Sequence, residues 1–159
     1  MLVVSDTTPL NYLILIRAEH VLPAIYTSIL VPRQVIDELL HEDAPDQVRL
    51  WASKPPAWVE VREGDASLFP KLGYGEAAAL ALAIEVHAEA LLADDGEARS
   101  VARALGLRLI GTVGILAEAH KVGLIDFDEG VKALRTTSIH VHPDITAAVR
   151  KVLNLPPVF

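Results

Sequence analysis

The stretch ALLADDGEARSVARALGLRLI, residues 90–110, decides the fold class. A short apolar run opens it at residues 90–93 and another closes it at 107–110, and both have the length and composition of strands. A helix is predicted between them, with its apolar side at Ala98, Val101, Ala102 and Leu105 and with Gly106 as its C-terminal cap. Strand, helix and strand in succession favour a parallel sheet covered by helices.

The same alternation runs through most of the chain. Further strands are predicted at residues 2–5, 28–31 and 58–61. The segment 76–88 is apolar all round, so we expect a helix that is buried against the sheet or against a partner subunit. Residues 127–159 have the pattern of two amphipathic helical pieces, to which no chemistry is assigned. The whole pattern predicts an α/β protein with a central parallel sheet of about five strands.

Composition narrows the classes of protein that this chain can be. Its 159 residues fit one domain, and 52% hydrophobic residues are enough for a sizeable core. The net charge of −7 argues against a broadly basic surface that coats nucleic acid, although it leaves room for a local basic patch. The absence of cysteine excludes disulfides and thiolate metal sites. With neither a signal peptide nor an uncharged apolar span in the sequence, we expect a soluble cytoplasmic protein.

Acidic residues follow two of the predicted strands. Asp6 comes directly after the first strand, and Asp94 and Asp95 come directly after the fourth. Ligands of open parallel sheets bind outside the carboxyl ends of the strands. If the first and fourth strands are neighbours, all three carboxylates should therefore face one crevice.

Further acids are expected to border that crevice. In the predicted helix 33–41, the buried side is formed by Val35, Ile36, Leu39 and Leu40. Glu38 lies on the flank of that side and Glu42 shares the flank one turn later, so helical geometry leaves both open. Glu76 stands in the first turn of its helix, where the helix dipole favours a carboxylate.

Several carboxylates around one crevice repel each other, and hard divalent cations with oxygen ligands are the usual compensation. We therefore expect Mg²⁺ or Mn²⁺, which could activate water and stabilise charge that develops on a phosphodiester. Each acid taken alone also has a simpler explanation as a solvated residue or a helix cap. Asp94 or Asp95, for example, could be the N-cap of the helix that follows them.

Four segments, taken in order, resemble the PIN-domain family, and specifically its VapC-like branch. They are VVSDTTPLNYL at 3–13, VPRQVIDELL at 31–40, GYGEAAALALA at 73–83 and LLADDGEARSVARALGLRLIGTVGIL at 91–116. The resemblance covers about residues 2–120 and implies a three-layer α/β/α fold with a Mg²⁺- or Mn²⁺-binding acidic cluster. It also implies a ribonuclease, in many relatives the toxin of a type II toxin–antitoxin pair. We accordingly expect residues 1–159 to form one PIN-like domain with a C-terminal helical extension.

The resemblance assigns roles to individual positions of this sequence. Asp6 matches the aspartate that ends the first strand, and Glu38, rather than Glu42, matches the glutamate of the second motif. Glu76 falls where relatives carry a third acid, commonly an aspartate. The fourth acid aligns best with Asp95, whereas a shift of one residue would select Asp94. We expect catalytic roles for all five acids, and metal binding by those at the strand ends together with Glu38.

Supporting residues follow from the same motifs. Thr8 falls where relatives place a small polar residue near the metal. Thr112 matches a threonine that opens the next helix, where its hydroxyl is expected to cap that helix, with contact to phosphate as the alternative. Arg99 and Arg103 lie one helical turn apart behind the acidic pair and could hold an RNA phosphate, although a solvated helix face is an equal alternative.

The histidine pair of the segment HVH, residues 140–142, would point to one face of a strand and could bind zinc. No third ligand lies near it in the sequence, and structural zinc needs four ligands, so a zinc site is disfavoured.

Expected partners follow from the ribonuclease interpretation. They are an RNA substrate, a cognate antitoxin of basic character and a second copy of the chain in a homodimer. The competing interpretations are a catalytically inactive PIN-like binding module and a Mg²⁺-dependent phosphotransfer domain. The second is disfavoured because Asp6 is followed by Thr7 and Thr8 rather than by the D-x-D pattern of phosphoaspartyl hydrolases.

Overall fold

A five-stranded parallel sheet forms the centre of the computed structural model, which describes residues 1–94 and 96–157. The strands are β1 (Leu2–Ser5), β2 (Ser28–Pro32), β3 (Val59–Arg62), β4 (Ala90–Leu92) and β5 (Arg108–Ile110). Their spatial order is β3-β2-β1-β4-β5, and each neighbouring pair is parallel. The prediction of a parallel sheet of about five strands is confirmed.

Helices connect the strands and cover both faces of the sheet. They are α1 (Thr7–Leu15), α2 (Val21–Ile25), α3 (Arg33–Leu39), α4 (Asp46–Ser53), α5 (Tyr74–Glu85), α6 (Gly96–Ala104), α7 (Thr112–Lys121), α8 (Phe127–Leu134) and α9 (Pro143–Val152). The two helical pieces expected in the C-terminal part are α8 and α9. None of the described helices is both long enough and apolar enough to cross a membrane.

The two faces of the sheet pack into separate cores. Successive strand side chains point to opposite faces, so Val3 joins a larger core and Val4 a smaller one. The larger core contains buried residues of α1 to α4, α7 and α8, and the smaller core contains residues of α5 and α6. This arrangement confirms the three-layer α/β/α fold.

The strand order brings the ends of β1 and β4 together. Val4 is in register with Leu91 and Ser5 with Leu92, and the backbone N–H of Asp6 donates to the carbonyl of Leu92 at 2.9 Å. The assumption that the first and fourth predicted strands are neighbours is therefore correct. Asp6 lies beside the segment that carries Asp94.

Helix α5 is buried on nearly all sides by the chain itself. Gly75 and residues 77–83 are buried, and the helix packs against the sheet, α3 and α6. Its alanine-rich sequence allows this close packing, because small side chains let the helix backbone approach its neighbours closely. The sheet, rather than a partner subunit, explains the apolar character of this helix.

Two local expectations are wrong at the ends of helices. Leu40 is 41% exposed and Leu105 is 54% exposed, although both were assigned to buried helix faces. Helices α3 and α6 end one residue earlier, at Leu39 and Ala104, so neither leucine continues the helical stripe. Residues 140–142 are not a strand but an extended lead-in to α9, with His142 as its N-cap.

Candidate functional site

Asp6 ends β1 and begins α1. Its side chain is only 3% exposed, and its Oδ1 accepts a hydrogen bond from the backbone N–H of Thr7 at 2.7 Å. Aspartate is a preferred N-cap residue because it satisfies N–H groups that have no partner within the helix. The cap therefore fixes the position of a buried carboxylate at the carboxyl end of the central strand.

Glu38 joins the first turns of two helices. Its Oε2 accepts a hydrogen bond from the Thr7 hydroxyl, and its Oε1 accepts one from the backbone N–H of Gly75 at 2.8 Å. The positive end of the α5 dipole also favours a carboxylate at this point. Glu42 is exposed in the turn after α3. Of the two glutamates that helical geometry left open, the structure places Glu38 beside Asp6 through Thr7.

The head of α5 is shaped by glycine and by a second glutamate. A Cβ atom on Gly75 would lie 2.6 Å from Oε1 of Glu38, so the close approach of α3 and α5 needs a residue without a side chain. Glu76 is half-buried in the first turn of α5, and its Oε1 would lie 2.9 Å from a Cβ on Gly73. The Glu76 carboxylate therefore folds back towards the N-terminus of its own helix.

Asp94 follows β4 and binds the start of α7. Its Oδ1 accepts from the backbone N–H of Thr112 at 2.8 Å, and its Oδ2 accepts from the Thr112 hydroxyl. Burial raises the pKa of Asp94 above its usual value, while the two bonds from Thr112 and the positive charge of Arg99 act to lower it. This carboxylate is thus held in a fixed orientation at the end of the strand adjacent to β1.

The structure corrects the role expected for Thr112. This residue is fully buried and is the first residue of α7, whose N-cap is Gly111 without a side-chain cap. Its hydroxyl does not cap the helix, since it donates to Asp94 instead. Asp94 in turn binds the start of α7. Asp95, the other candidate of the pair, lies outside the described residues.

Thr7 is a site residue that the sequence did not reveal. Thr8 was expected near the metal and is half-buried in the first turn of α1, but the hydroxyl that binds Glu38 belongs to Thr7. Both threonines follow Asp6, and only the relative placement of α1 and α3 distinguishes them. The only sequence feature that could have indicated Thr7 is that it is a hydroxyl residue directly after Asp6.

Arg99 and Arg103 lie exposed on α6 and line an open groove of about 550 Å³ along β5, which is an edge strand. Arg108, at the start of β5, lines the same groove and was not predicted. Arg99 also borders a second cleft together with Asp94. The chain thus combines a negative net charge with a local basic strip, of which Arg99 lies beside the Asp94 carboxylate.

The carboxylates form two hydrogen-bonded groups near the carboxyl ends of β1 and β4. Asp6 is linked to Glu38 through Thr7, and Asp94 is bound to Thr112. Within residues 1–94 and 96–157, no three Asp, Glu or His side chains are grouped closely enough to hold a metal ion by themselves. Mg²⁺ needs fewer, because it keeps several waters and uses one or two carboxylates. A carboxylate has about four lone-pair sites, so a cap bond leaves capacity for a ligand. Asp6 and Asp94, which follow two adjacent strands, are oxygen ligands of the kind that such a hydrated ion uses.

Of the two histidines at positions 140 and 142, His142 has a structural role. His142 accepts a hydrogen bond at Nδ1 from the backbone N–H of Asp144 at 3.1 Å and so caps α9. The rings of His140 and His142 meet edge to face with centroids 6.0 Å apart. Since the described residues give the pair no third ligand, the arrangement does not match a structural zinc site.

Comparisons with known proteins identify the family of this chain. A PilT N-terminus domain protein, SSO1118, from the archaeon Sulfolobus solfataricus P2 is similar in structure, with a TM-score of 0.47 and 16% sequence identity. The similarity covers 89% of this chain and 100% of that chain. No curated protein matches the sequence. A sequence model of DUF3368, described as a PIN domain, matches residues 2–154, and the chain therefore belongs to the PIN-domain family.

Proposed function

We propose that this protein is a metal-dependent ribonuclease whose acidic site is built on Asp6, Glu38 and Asp94. PIN domains are generally metal-dependent nucleases. The observation that supports the proposal best is the placement of Asp6 and Asp94 at the ends of two adjacent parallel strands. Glu38 completes the arrangement, since Thr7 donates its backbone N–H to Asp6 and its hydroxyl to Glu38 and so links the two carboxylates.

The cofactor would be Mg²⁺ or Mn²⁺, held by Asp6 and Asp94 with Glu38 nearby. When bound, such an ion activates water and stabilises the negative charge that builds up on the phosphodiester. The protein's own contribution is positional. Thr112 orients the Asp94 carboxylate through two hydrogen bonds, and Gly75 and Thr7 orient that of Glu38.

Glu76 and Asp95 complete the proposed acidic set. Glu76 is half-buried at the head of α5, next to the residue whose backbone N–H binds Glu38. Asp95 directly follows Asp94 and remains a proposed ligand on the basis of its position in the sequence.

The basic strip on α6 and β5 suits an RNA substrate. Arg99 and Arg103 are one turn apart, and Arg108 extends the strip along the edge of the sheet. Cations in such a strip neutralise backbone phosphates without reading sequence. The strip therefore offsets, locally, the repulsion between RNA and a protein of net charge −7.

We further propose that the ribonuclease is the toxin of a toxin–antitoxin pair and forms a homodimer. The acidic net charge suits a basic antitoxin. Exposed apolar side chains, among them Leu50 (75% exposed) and Val122 (62% exposed), offer surface for a partner or a second copy. Co-purification with the product of a neighbouring reading frame, and the mass of the free protein in solution, test these two assignments.

Cleavage of a labelled RNA of mixed sequence tests the ribonuclease proposal. The purified protein is incubated with Mg²⁺, Mn²⁺ or EDTA beside Asp6→Asn and, as a matched control, Asp37→Asn on the exposed side of α3. We expect cleavage with either metal, none with EDTA, loss of activity in Asp6→Asn and full activity in Asp37→Asn. Absence of cleavage by the wild type, together with no Mn²⁺ binding in calorimetry, would favour an inactive binding module.

A further inference from the structure

A cleft of about 300 Å³ opens directly beside the carboxylate site, between α7 and the segment that leads into α9. Asp94 and Arg99 are among the residues that line it. His140, which neither the fold nor the proposed catalytic mechanism uses, lines it as well. The cleft thus connects the acidic site with the C-terminal extension, to which the sequence assigned no chemistry.

The walls of the cleft are apolar although they face solvent. Val113, Ile139, Ile145 and Val149 line it, and Ile145 is 49% exposed. A single exposed apolar residue needs no explanation, but several around one concave surface are typical of a ligand site. Such sites combine apolar walls with a few polar groups that orient the ligand. Here the polar side chains are one carboxylate, one guanidinium and the two imidazoles of His140 and His142.

The two histidines before α9 have different environments. His142 is held in place by its cap bond to the backbone N–H of Asp144. The edge-to-face contact between the two rings then supports the exposed ring of His140. The ring of His140 is therefore placed at the cleft by a fixed neighbour.

We propose that this cleft is a nucleobase-binding subsite, which takes the base of the RNA nucleotide next to the phosphate at the carboxylate site. The proposal rests on the ribonuclease function proposed above. Proteins recognise single-stranded RNA by stacking unpaired bases on aromatic side chains, histidine included, and on arginine. His140 supplies the stacking ring, and the apolar walls exclude water from the base.

The position of Arg99 explains why the occupant is a nucleotide. Arg99 borders both this cleft and the basic strip. A nucleotide with its base in the cleft therefore keeps its phosphate between Arg99 and the carboxylates. The subsite would favour particular bases at one position of the cleavage site, which the basic strip alone cannot do.

Direct binding tests the subsite without any cleavage. The four nucleoside 5′-monophosphates are titrated into the full chain in EDTA, with ribose 5-phosphate as the probe that lacks a base. Binding is followed by NMR on the methyl groups of Val113, Ile139 and Val149. We expect saturable shifts of these methyls with at least one nucleotide, and affinity for ribose 5-phosphate at least tenfold weaker, in line with the typical contribution of stacking.

Variants locate the binding to the cleft. His140→Ala should weaken nucleotide binding about tenfold, whereas His20→Ala, at an exposed histidine before α2, should leave it unchanged. Ile145→Asp, at a half-exposed wall position, should weaken binding as well. Equal affinity of wild type and His140→Ala, or equal binding of ribose 5-phosphate and nucleotides, would overturn the proposal.

The cleavage assay separates this proposal from the one on which it rests. If the wild type cleaves RNA and His140→Ala cleaves it with the same rate and the same base preference, the subsite is wrong and the ribonuclease stands. If nucleotides bind in the cleft as described but no metal supports cleavage, the nuclease proposal fails and the base-binding cleft stands.

Discussion

At the scale of single residues, Glu38 and Glu42 provide a matched pair of side chains for testing the site. Both lie on the same flank of α3 or just beyond it, but only Glu38 binds Thr7 and Gly75. We expect Glu38→Gln to lower the rate of Mg²⁺-dependent RNA cleavage about 10–100-fold, as is typical for residues that orient a metal site. Glu42→Gln should keep the wild-type rate. Equal rates for the two variants would remove Glu38 from the site.

Asp94 should make the stability of the metal-free protein depend on pH. Burial raises the folded-state pKa of Asp94 above its ordinary value of 3.8. A carboxyl group with a raised pKa stabilises the fold while it is protonated, and this stabilisation is lost as the pH rises through the folded-state pKa. We therefore expect the melting temperature of Asp94→Asn, relative to wild type, to increase as the pH rises from about 4, the ordinary pKa of the group, through the raised folded-state pKa.

Thermal melts in EDTA measure this difference, with Asp37→Asn as the control at an exposed position. The control should follow the wild type at every pH. A difference between Asp94→Asn and wild type that stays constant with pH would show that burial does not perturb the Asp94 carboxyl group. Added Mg²⁺ should raise the melting temperature of the wild type at neutral pH and not that of Asp94→Asn, because the ion binds the ionised carboxylate.

The sequence could predict which residue types form the site but not every identity. The position of Asp6 follows from the strand that precedes it and the helix that follows it. Thr7 and Thr8 are adjacent and equally polar, so only the packing of α3 against α1 selects Thr7. The predicted role of Thr112 was wrong for a similar reason. A threonine at the start of a helix indicates a cap, but the local sequence cannot reveal that its partner is Asp94, 18 residues away.

At the scale of elements, the contact between α3 and α5 depends on Gly75. A Cβ at this position would come within 2.6–2.7 Å of the Glu38 carboxylate, and this contact can be relieved only if Glu38 moves. We expect Gly75→Ala to lower RNA cleavage as much as Glu38→Gln does. Gly96→Ala is the control, because a Cβ on Gly96, in the first turn of α6, would meet nothing within 4 Å.

Cleavage rates and melting temperatures of both glycine variants measure this effect. Gly96→Ala should keep its activity and melt no lower than the wild type, because alanine is the better helix former. If Gly75→Ala cleaves RNA as fast as Gly96→Ala does, the position of the Glu38 carboxylate does not matter for the reaction.

Helices and strands could be predicted where the pattern of apolar residues is regular, and the predictions failed at the ends of the helices. The strands were found because each is a short apolar run followed by a turn or a helix start. Leu40 and Leu105 were assigned to the apolar faces of their helices because the apolar periodicity of the sequence continues one residue beyond the end of each helix. The segment 140–142 alternates like a strand, but no neighbouring strand pairs with it among the described residues, and its second histidine caps a helix instead.

At the scale of the whole molecule, charge is distributed unevenly. The chain has a net charge of −7, yet Arg99, Arg103 and Arg108 share one groove at the β5 edge of the sheet. Composition alone could exclude a basic surface but could not place the remaining cations. Their grouping depends on the packing of α6 beside β5, which brings together residues from a helix and from the following strand.

This grouping predicts how RNA binding depends on salt. Arg103→Gln should weaken binding of a single-stranded RNA in EDTA for all sequences alike and lower the slope of log affinity against log salt concentration by about 0.7, the value for one phosphate contact. Arg62→Gln is the control, because Arg62 is a half-exposed arginine on β3, at the opposite edge of the sheet. Fluorescence anisotropy at several salt concentrations measures both slopes. Since both substitutions change the net charge by the same amount, a reduced slope in both variants would mean that RNA responds to the charge of the whole protein, whereas a reduction in Arg103→Gln alone places the RNA backbone along α6 and β5.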